Sequence, residues 1–146
     1  MVKTIPFNSL YLDAGAWIAL TNKKDRYHSI ATEFYRAIPK TVKLFTGYLV
    51  ISESYTWLRY CIGINVALKF LESTEKAIIG KSLEVLYPNE LIDQKARQIL
   101  YNYTDQKLSY CDATSFAICN LLKIKDILGF DSHLYISGKA VWPRIK

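Results

Sequence analysis

The sequence predicts an α/β fold in which a parallel β-sheet is covered by helices on both faces. Short apolar segments alternate along the chain with longer segments whose apolar residues recur at helical spacing. Glycine, proline or clusters of polar residues separate these segments. The length of 146 residues suits one domain with a sizeable core, and a hydrophobic share of 51% excludes a disordered chain. We therefore expect residues 1–146 to form a single domain.

The first half of the chain is predicted to contain two strands and a series of helices. A short apolar strand comes first. A helical segment then begins at Gly15 and ends before a polar stretch. The next helix stops before Pro39, because proline cannot continue it. The predicted elements are strands 9–13 and 42–46 and helices 15–20, 27–37, 47–61, 65–71 and 75–79.

The second half is predicted to add three strands and two longer helices. Asn89 and Ser109 are of the type that caps helix N-termini, and each precedes a segment with a helical apolar stripe. Sites in parallel sheets open at the carboxyl ends of the strands, and both Asp13 and Asp131 fall at such ends. The predicted elements are strands 83–87, 126–130 and 140–142 and helices 89–103 and 109–122.

Composition narrows the class of protein without naming a partner. A formal net charge of +6 attracts polyanions but is also common on proteins that bind none, so nucleic acid remains an open possibility. Asp13 interrupts the best candidate for a membrane span, and residues 1–8 lack a signal-peptide core, so we expect a cytoplasmic protein without membrane contact. Three cysteines, Cys61, Cys111 and Cys119, form no CxxC pair and are expected to be reduced, mostly buried thiols.

Four acidic residues, Asp13, Glu53, Asp112 and Asp131, lie inside apolar sequence although acids are outnumbered by Lys and Arg, 13 to 19. Taken singly, each aspartate is best interpreted as a helix N-cap, and Ser109 with Asp112 fits a capping box. Glu53 falls in mid-helix, on or beside the stripe formed by Leu49, Val50, Trp57 and Tyr60 or Cys61, where it caps nothing.

The four acids together favour a metal site. Carboxylates that converge on one place repel one another, and a divalent cation is the usual remedy. Oxygen-only ligation suits Mg²⁺ or Mn²⁺, and water bound to such ions can attack phosphorus. The joint pattern therefore predicts a metal-dependent enzyme acting on phosphodiesters.

The motifs around the four acids resemble those of PIN-domain ribonucleases. The match runs through residues 12–20, 49–59, 107–117 and 129–134, and the strongest part is Lys107-Leu-Ser-Tyr-Cys-Asp112. The order and spacing of the acids agree over nearly the whole chain, and the compact length resembles that of VapC-like toxins from toxin–antitoxin pairs. Ala14 departs from the family, where Thr or Ser commonly follows the first acid.

The resemblance implies a fold, an activity and partners. The fold would be a three-layer α/β/α domain with a central, mainly parallel sheet of four to five strands. The activity would be that of a Mg²⁺- or Mn²⁺-dependent endoribonuclease that cuts single-stranded or loop RNA and leaves a 3′-hydroxyl and a 5′-phosphate. Toxin members are usually homodimers blocked by a cognate antitoxin protein. Asp13, Glu53, Asp112 and Asp131 would hold the metal, with Ser109 in support.

Other residues are weaker candidates. Ser132 and Ser115 are placed to orient the acids by hydrogen bonding, and His133 could approach a substrate phosphate. Cys111 is better read as a small side chain of the helix than as a nucleophile. The basic residues that could guide RNA backbone towards the acids, with solvated surface charge as the alternative, are Lys23, Lys24, Arg26 and Arg59. Tyrosines 101, 103 and 110 could stack bases or be core or dimer contacts.

Three functions remain open from the sequence. The leading hypothesis is a toxin endoribonuclease. A non-catalytic RNA-binding or interaction module on the same fold is the first alternative, because a fold does not dictate chemistry. A housekeeping RNA-processing nuclease would keep the chemistry and lack the antitoxin.

Overall fold

The structure is a computed structural model that describes residues 5–144. Five strands form one sheet in the order β3-β2-β1-β4-β5, and every neighbouring pair is parallel. The prediction of a parallel sheet of four to five strands is thus confirmed. The strands are β1 (Ser9–Leu12), β2 (Lys43–Gly47), β3 (Leu83–Leu86), β4 (Asp126–Leu128) and β5 (Ala140–Trp142).

Within the described part of the chain, six α-helices and one 3₁₀ helix connect the strands. Helices α1 to α4 lie in the connections from β1 through β2 to β3, and α5 and α6 lie in the return from β3 to β4. Because such crossovers between parallel strands are right-handed, connections that run in opposite directions along the sheet cover opposite faces, which gives the three layers expected. The helices are α1 (Ala14–Thr21), α2 (His28–Ala37), α3 (Tyr48–Cys61), α4 (Ile64–Ile79), α5 (Glu90–Asn102), α6 (Tyr110–Leu122) and the 3₁₀ helix (Ser132–Ser137).

The core is built around β1 and α6. Leu10, Tyr11 and Leu12 are fully buried, because β1 is the central strand and has a helical layer on each side. In α6, seven consecutive residues from Ala113 to Cys119 are buried. A helix segment enclosed on all sides needs no charged stripe, and the polar residues within this one are the uncharged Thr114 and Ser115.

Two helix predictions need correction. The segments predicted separately at 65–71 and 75–79 form the single helix α4. On α3, the face towards the core is formed by Val50, Ser54 and Leu58, whereas Trp57 and Tyr60 are exposed. The predicted stripe is correct for Val50 and wrong for Trp57 and for Tyr60 or Cys61, which are exposed. Ser54 can be buried since its hydroxyl donates to the Val50 carbonyl at 2.7 Å.

The prediction that the cysteines are mostly buried is wrong for Cys61. All three cysteines are free, but Cys61 is exposed, Cys111 half-buried and only Cys119 fully buried. Among residues 5–144, no helix combines the length and the apolar composition that crossing a membrane requires.

Candidate active site

The candidate site lies where the sheet topology reverses. From β1 the chain moves to β2 and β3 on one side, then returns past β1 to β4 and β5 on the other. Such a reversal leaves a crevice beyond the carboxyl ends of the two central strands, here β1 and β4. Asp13 directly follows β1, and Asp131 lies three residues after β4, with Gly129 and Phe130 between. The topology therefore brings two of the four predicted acids to one crevice.

Asp13 is a buried carboxylate that does not cap its helix. It occupies the N-cap position of α1 and is only 5% exposed, yet its side chain makes no capping hydrogen bond. The capping interpretation of Asp13 is therefore wrong. Its pKa is raised from 3.8 to about 7, chiefly by burial and then by the charges of Asp112, Glu53 and Asp131, while a hydrogen bond from the Ala14 N–H acts in the opposite direction.

Asp112 is held in place by the predicted capping box at the start of α6. The Asp112 N–H donates to Ser109 Oγ at 2.9 Å, and the Ser109 N–H donates to Asp112 Oδ2 at 3.0 Å. The capping role and a place near Asp13 are thus compatible, because the box uses Oδ2 and leaves Oδ1 free for another ligand. Ser109 fixes the orientation of this acid.

Asp131 caps the 3₁₀ helix and contacts its own neighbour. Its Oδ1 accepts the His133 N–H at 2.8 Å, and His133 Nδ1 lies 3.1 Å from the same oxygen. Both side chains are partly exposed, 49% for Asp131 and 31% for His133. Ser132 is exposed at the first position of the 3₁₀ helix.

Glu53 reaches the site from the solvent side of α3. Glu53 is exposed, which corrects the prediction that it lies on or beside the core-facing stripe and away from solvent. The carboxylate faces Cys111 on α6: burial raises the pKa of the Cys111 thiol, and Glu53 raises it further. A thiol so disfavoured as a thiolate is no nucleophile, as expected from the sequence.

Residues that the sequence reasoning missed build the frame beneath the acids. Thr46 at the end of β2 accepts a hydrogen bond from Trp17 Nε1 at 3.1 Å and donates to the Leu12 carbonyl at 2.7 Å. Tyr11 donates its hydroxyl to Ser115 at 2.9 Å, so Ser115 supports β1 and not an acid. These contacts join β1, β2, α1 and α6 directly below Asp13.

Gly129 leaves room for Asp13. A Cβ at this position would collide with Leu134 Cδ1 and would stand 3.2 Å from Asp13 Cβ. Any larger residue would therefore push on the buried carboxylate. The signal was present in the sequence as a glycine directly after a buried strand.

The carboxylate oxygens of the four acids are suitable ligands for a hard divalent cation, but the four side chains lie farther apart than the ligands of a fully formed metal site. Among residues 5–144, no three His, Cys, Asp or Glu side chains are gathered tightly enough to form a finished set of metal ligands. The acids nevertheless act on Asp13 electrostatically. Carboxylates that share one site repel one another, and oxygen donors of this kind are those that Mg²⁺ and Mn²⁺ prefer.

Arg26 is positioned beside the site by an aromatic stack. The Tyr27 ring stacks on Phe130 at 4.4 Å with only 5° between the planes, and the Arg26 guanidinium lies 4.7 Å from the Tyr27 centroid. Phe130 directly precedes Asp131, so this stack links the basic α1–α2 loop to the acidic crevice. Arg59 is exposed near the end of α3.

Lys23 and Lys24 line a separate groove. This cavity of about 970 Å³ lies between α1, α2 and the α3–α4 pair. Its apolar lining includes Trp17, Leu20, Ile62, Val66 and Phe70, and its cations are Lys23, Lys24, Arg36 and Lys69. The residues that line it include no Asp or Glu.

Comparison with known proteins places the chain in a family. The PIN domain model matches residues 10–137, which include all four acids. The chain belongs to the PIN-domain family. The structure and the family agree with the resemblance inferred from the motifs.

Individual relatives give the same result. The chain is 24% identical to the "23S rRNA-specific endonuclease VapC20" of Mycobacterium tuberculosis over 129 residues, which are 88% of this chain and 94% of that protein. The crystal structure of VapC20, described as a "Sarcin-Ricin loop cleaving toxin", superposes with a TM-score of 0.80 at 24% identity, covering 90% of this chain and 96% of that one. FitAcB from Neisseria gonorrhoeae shares the fold at 11% identity, with a TM-score of 0.68 over 92% and 96% of the chains.

Proposed function

We propose that this chain is a divalent-metal-dependent endoribonuclease that hydrolyses RNA phosphodiester bonds at the carboxyl edge of its sheet. The observation that most supports this is Asp13, a buried acid that caps no helix and is surrounded by the charges of three further carboxylates. Such an arrangement costs folding free energy in the absence of a cation. Membership of the PIN family and a relative named as an RNA endonuclease support the same reaction.

Each acid has a part in this proposal. Asp13, Glu53, Asp112 and Asp131 would hold Mg²⁺ or Mn²⁺ through carboxylate oxygens. The bound ion would supply a water of lowered pKa and positive charge near the phosphate that is cut.

The remaining roles belong to the side chains around the acids. Ser109 keeps Asp112 in one orientation through the capping box, and Thr46 and Tyr11 hold the end of β1 rigid beneath Asp13. Arg26, fixed by its aromatic stack, would contact a phosphate of the bound RNA. Ser132, Lys23, Lys24 and Arg59 are further proposed RNA contacts or supports on the exposed surface.

We further infer that the nuclease is the toxin of a toxin–antitoxin pair. The relative VapC20 is described as a toxin that cleaves the sarcin–ricin loop, so looped ribosomal RNA is the first substrate to examine. The groove between α1, α2 and the α3–α4 pair has an apolar floor and only cationic charges. Its charge favours an antitoxin segment that is amphipathic and acidic. A homodimer and a cytoplasmic location, where RNA is available, complete the proposal.

The proposal is tested by RNA cleavage. The purified protein, free of any antitoxin, is incubated with a sarcin–ricin-loop RNA and a mixed RNA pool in Mg²⁺, in Mn²⁺ and in EDTA. We expect cleavage only with metal, and a loss of at least about a hundredfold in Asp13→Asn and Asp112→Asn. Asp105→Asn changes an exposed acid outside the site and should cleave like the wild type.

Two outcomes would overturn the proposal. If Asp112→Asn cleaves RNA as fast as the wild type, the acids are not catalytic. If the wild type binds metal and RNA but cleaves no RNA in either the loop or the pool, the chain is an RNA-binding module on a nuclease fold.

A further inference from the structure

Two tyrosines form an exposed stack at the carboxyl edge of the sheet. The rings of Tyr48 and Tyr87 lie 5.0 Å apart with 29° between their planes. Despite this contact, Tyr48 remains 46% and Tyr87 62% exposed. Among residues 5–144, neither hydroxyl makes a hydrogen bond to another residue. One face of each ring therefore packs against the other tyrosine, and much of the remaining ring surface is exposed to solvent.

The pair stands on the same edge of the sheet as the acids. Tyr48 directly follows β2 and Tyr87 directly follows β3, and the register pairs Gly47 with Leu86, so the next residues emerge side by side. Neighbouring strands are about 4.8 Å apart, which puts the end of β3 about 10 Å from the end of β1. Asp13 follows β1, so the tyrosines are within reach of a nucleotide close to one bound at the acids.

The stability of the fold does not explain why positions 48 and 87 are occupied by aromatic residues. Two exposed rings that stack on each other gain little free energy, because water still covers much of both. The other stack at this edge, Tyr27 on Phe130, has half-buried residues and orients Arg26. Tyr48 and Tyr87 orient no charged group of the site. An exposed aromatic surface next to a phosphate-cleaving centre is what unpaired nucleobases bind.

We propose that Tyr48 and Tyr87 form a stacking platform for an unpaired base of the RNA substrate, flanking the bond that is cut. This rests on the proposed ribonuclease function and adds the place where the substrate strand leaves the acids: over β2 towards β3. On the β4 side, Arg26 would contact the phosphate backbone. The platform accordingly favours RNA that is single-stranded or looped near the cleaved bond, because a paired base hides its faces in the helix.

The experiment measures binding apart from catalysis. Fluorescence anisotropy in EDTA compares a short labelled oligouridine with an abasic ribose-phosphate oligomer of the same length. We expect Tyr87→Ala to weaken oligouridine binding about tenfold and to leave abasic binding unchanged. Tyr87→Phe keeps the ring and should bind like the wild type. Tyr60→Ala removes a tyrosine that is 84% exposed near the end of α3, and it should change neither affinity.

Light scattering on the same variants distinguishes a protein interface from an RNA platform. If Tyr87→Ala converts a dimer to a monomer, or weakens both oligomers equally, or weakens neither, the platform is wrong. The platform and the ribonuclease function can fail separately. If the wild type cleaves RNA and Tyr87→Ala binds oligouridine as tightly as the wild type, only the platform hypothesis is rejected. If the wild type shows no metal-dependent cleavage and Tyr87→Ala loses affinity for oligouridine but not for the abasic oligomer, only the nuclease hypothesis is rejected.

Discussion

At the scale of single residues, the most informative feature of the candidate site is the buried carboxylate of Asp13. The side chain is 5% exposed and accepts no capping hydrogen bond, so its charge is compensated by nothing comparable to an ion pair. Burial, Asp112, Glu53 and Asp131 all act to raise its pKa, which reaches about 7. The acid is thus costly for stability and is available for a cation.

The stability of the metal-free protein should depend on pH through Asp13. A pKa raised from 3.8 to about 7 means that the folded state holds the proton more tightly than the unfolded state. The stabilisation that comes from protonated Asp13 is therefore fully present below about pH 4 and is lost as the pH rises through about 7. Between about pH 5 and about pH 8, we expect the free energy of unfolding in EDTA to fall by on the order of 2–3 kcal/mol more in the wild type than in Asp13→Asn. Urea denaturation at both pH values measures this difference.

The result contradicting this electrostatic explanation is a pH dependence that is the same in the two proteins. Asp105→Asn serves as the control, because its exposed carboxylate should leave the wild-type dependence intact. A metal-free Asp13→Asn protein less stable than the wild type near pH 8 would also count against a shared acidic site.

Residue types predicted which acids form the candidate site, but not how each side chain is held. The aspartates were recognised from strand ends and cap patterns, and the capping box of Ser109 with Asp112 was predicted correctly. Thr46 and Tyr11 gave no signal, because their hydrogen bonds cross between strands and helices far apart in sequence. Such contacts are set by tertiary packing and have no local pattern.

At the scale of elements, the order of strands and helices could be predicted because their periodicities differ. The face of α3 could not, since Trp57 and Tyr60 are apolar enough to suggest burial and yet lie 39% and 84% exposed. Apolar residues on a surface do not identify the core face. Glu53 therefore belongs to an exposed face, and it meets the other acids across the end of the sheet.

The junction between β4 and the 3₁₀ helix should tolerate no side chain at Gly129. In Gly129→Ala, the added methyl would collide with Leu134, which is 1% exposed and cannot move aside, and would press on Asp13. We expect a loss of about 1–3 kcal/mol in the free energy of unfolding, measured with urea. Gly15→Ala is the matched control: the new Cβ meets Phe130 N at an ordinary 3.5 Å, and alanine favours helix α1. Equal losses in both variants would show that the crowding at Gly129 is not the cause.

At the scale of the whole molecule, two surfaces differ in charge and chemistry. The carboxyl edge of the sheet gathers the acids, with Arg26 on one flank and the Tyr48–Tyr87 pair on the other. The groove between α1, α2 and the α3–α4 pair is apolar and basic. The net charge of +6 is therefore compatible with two partners, RNA at one surface and an acidic protein segment at the other.

Charge reversal in the groove should separate the two partners. When the chain is co-purified with a candidate antitoxin, Arg36→Glu together with Lys69→Glu should reduce retention at least about tenfold, because both cations line the groove. Lys95→Glu, on the exposed surface of α5, should retain the partner. Loss of the partner in Lys95→Glu alone, or in all variants equally, would contradict docking in the groove.

The proposed function depends most on the sharing of a divalent cation by Asp13 and the neighbouring acids. Isothermal titration with Mn²⁺ near pH 6.5 tests it most directly, on the wild type, Asp13→Asn and Asp105→Asn. We expect saturable binding with release of a proton in the wild type and in Asp105→Asn, because the cation displaces the proton of an acid whose pKa is about 7. Asp13→Asn should lose both the binding and the proton release. Mn²⁺ binding that is unchanged in Asp13→Asn would contradict the account.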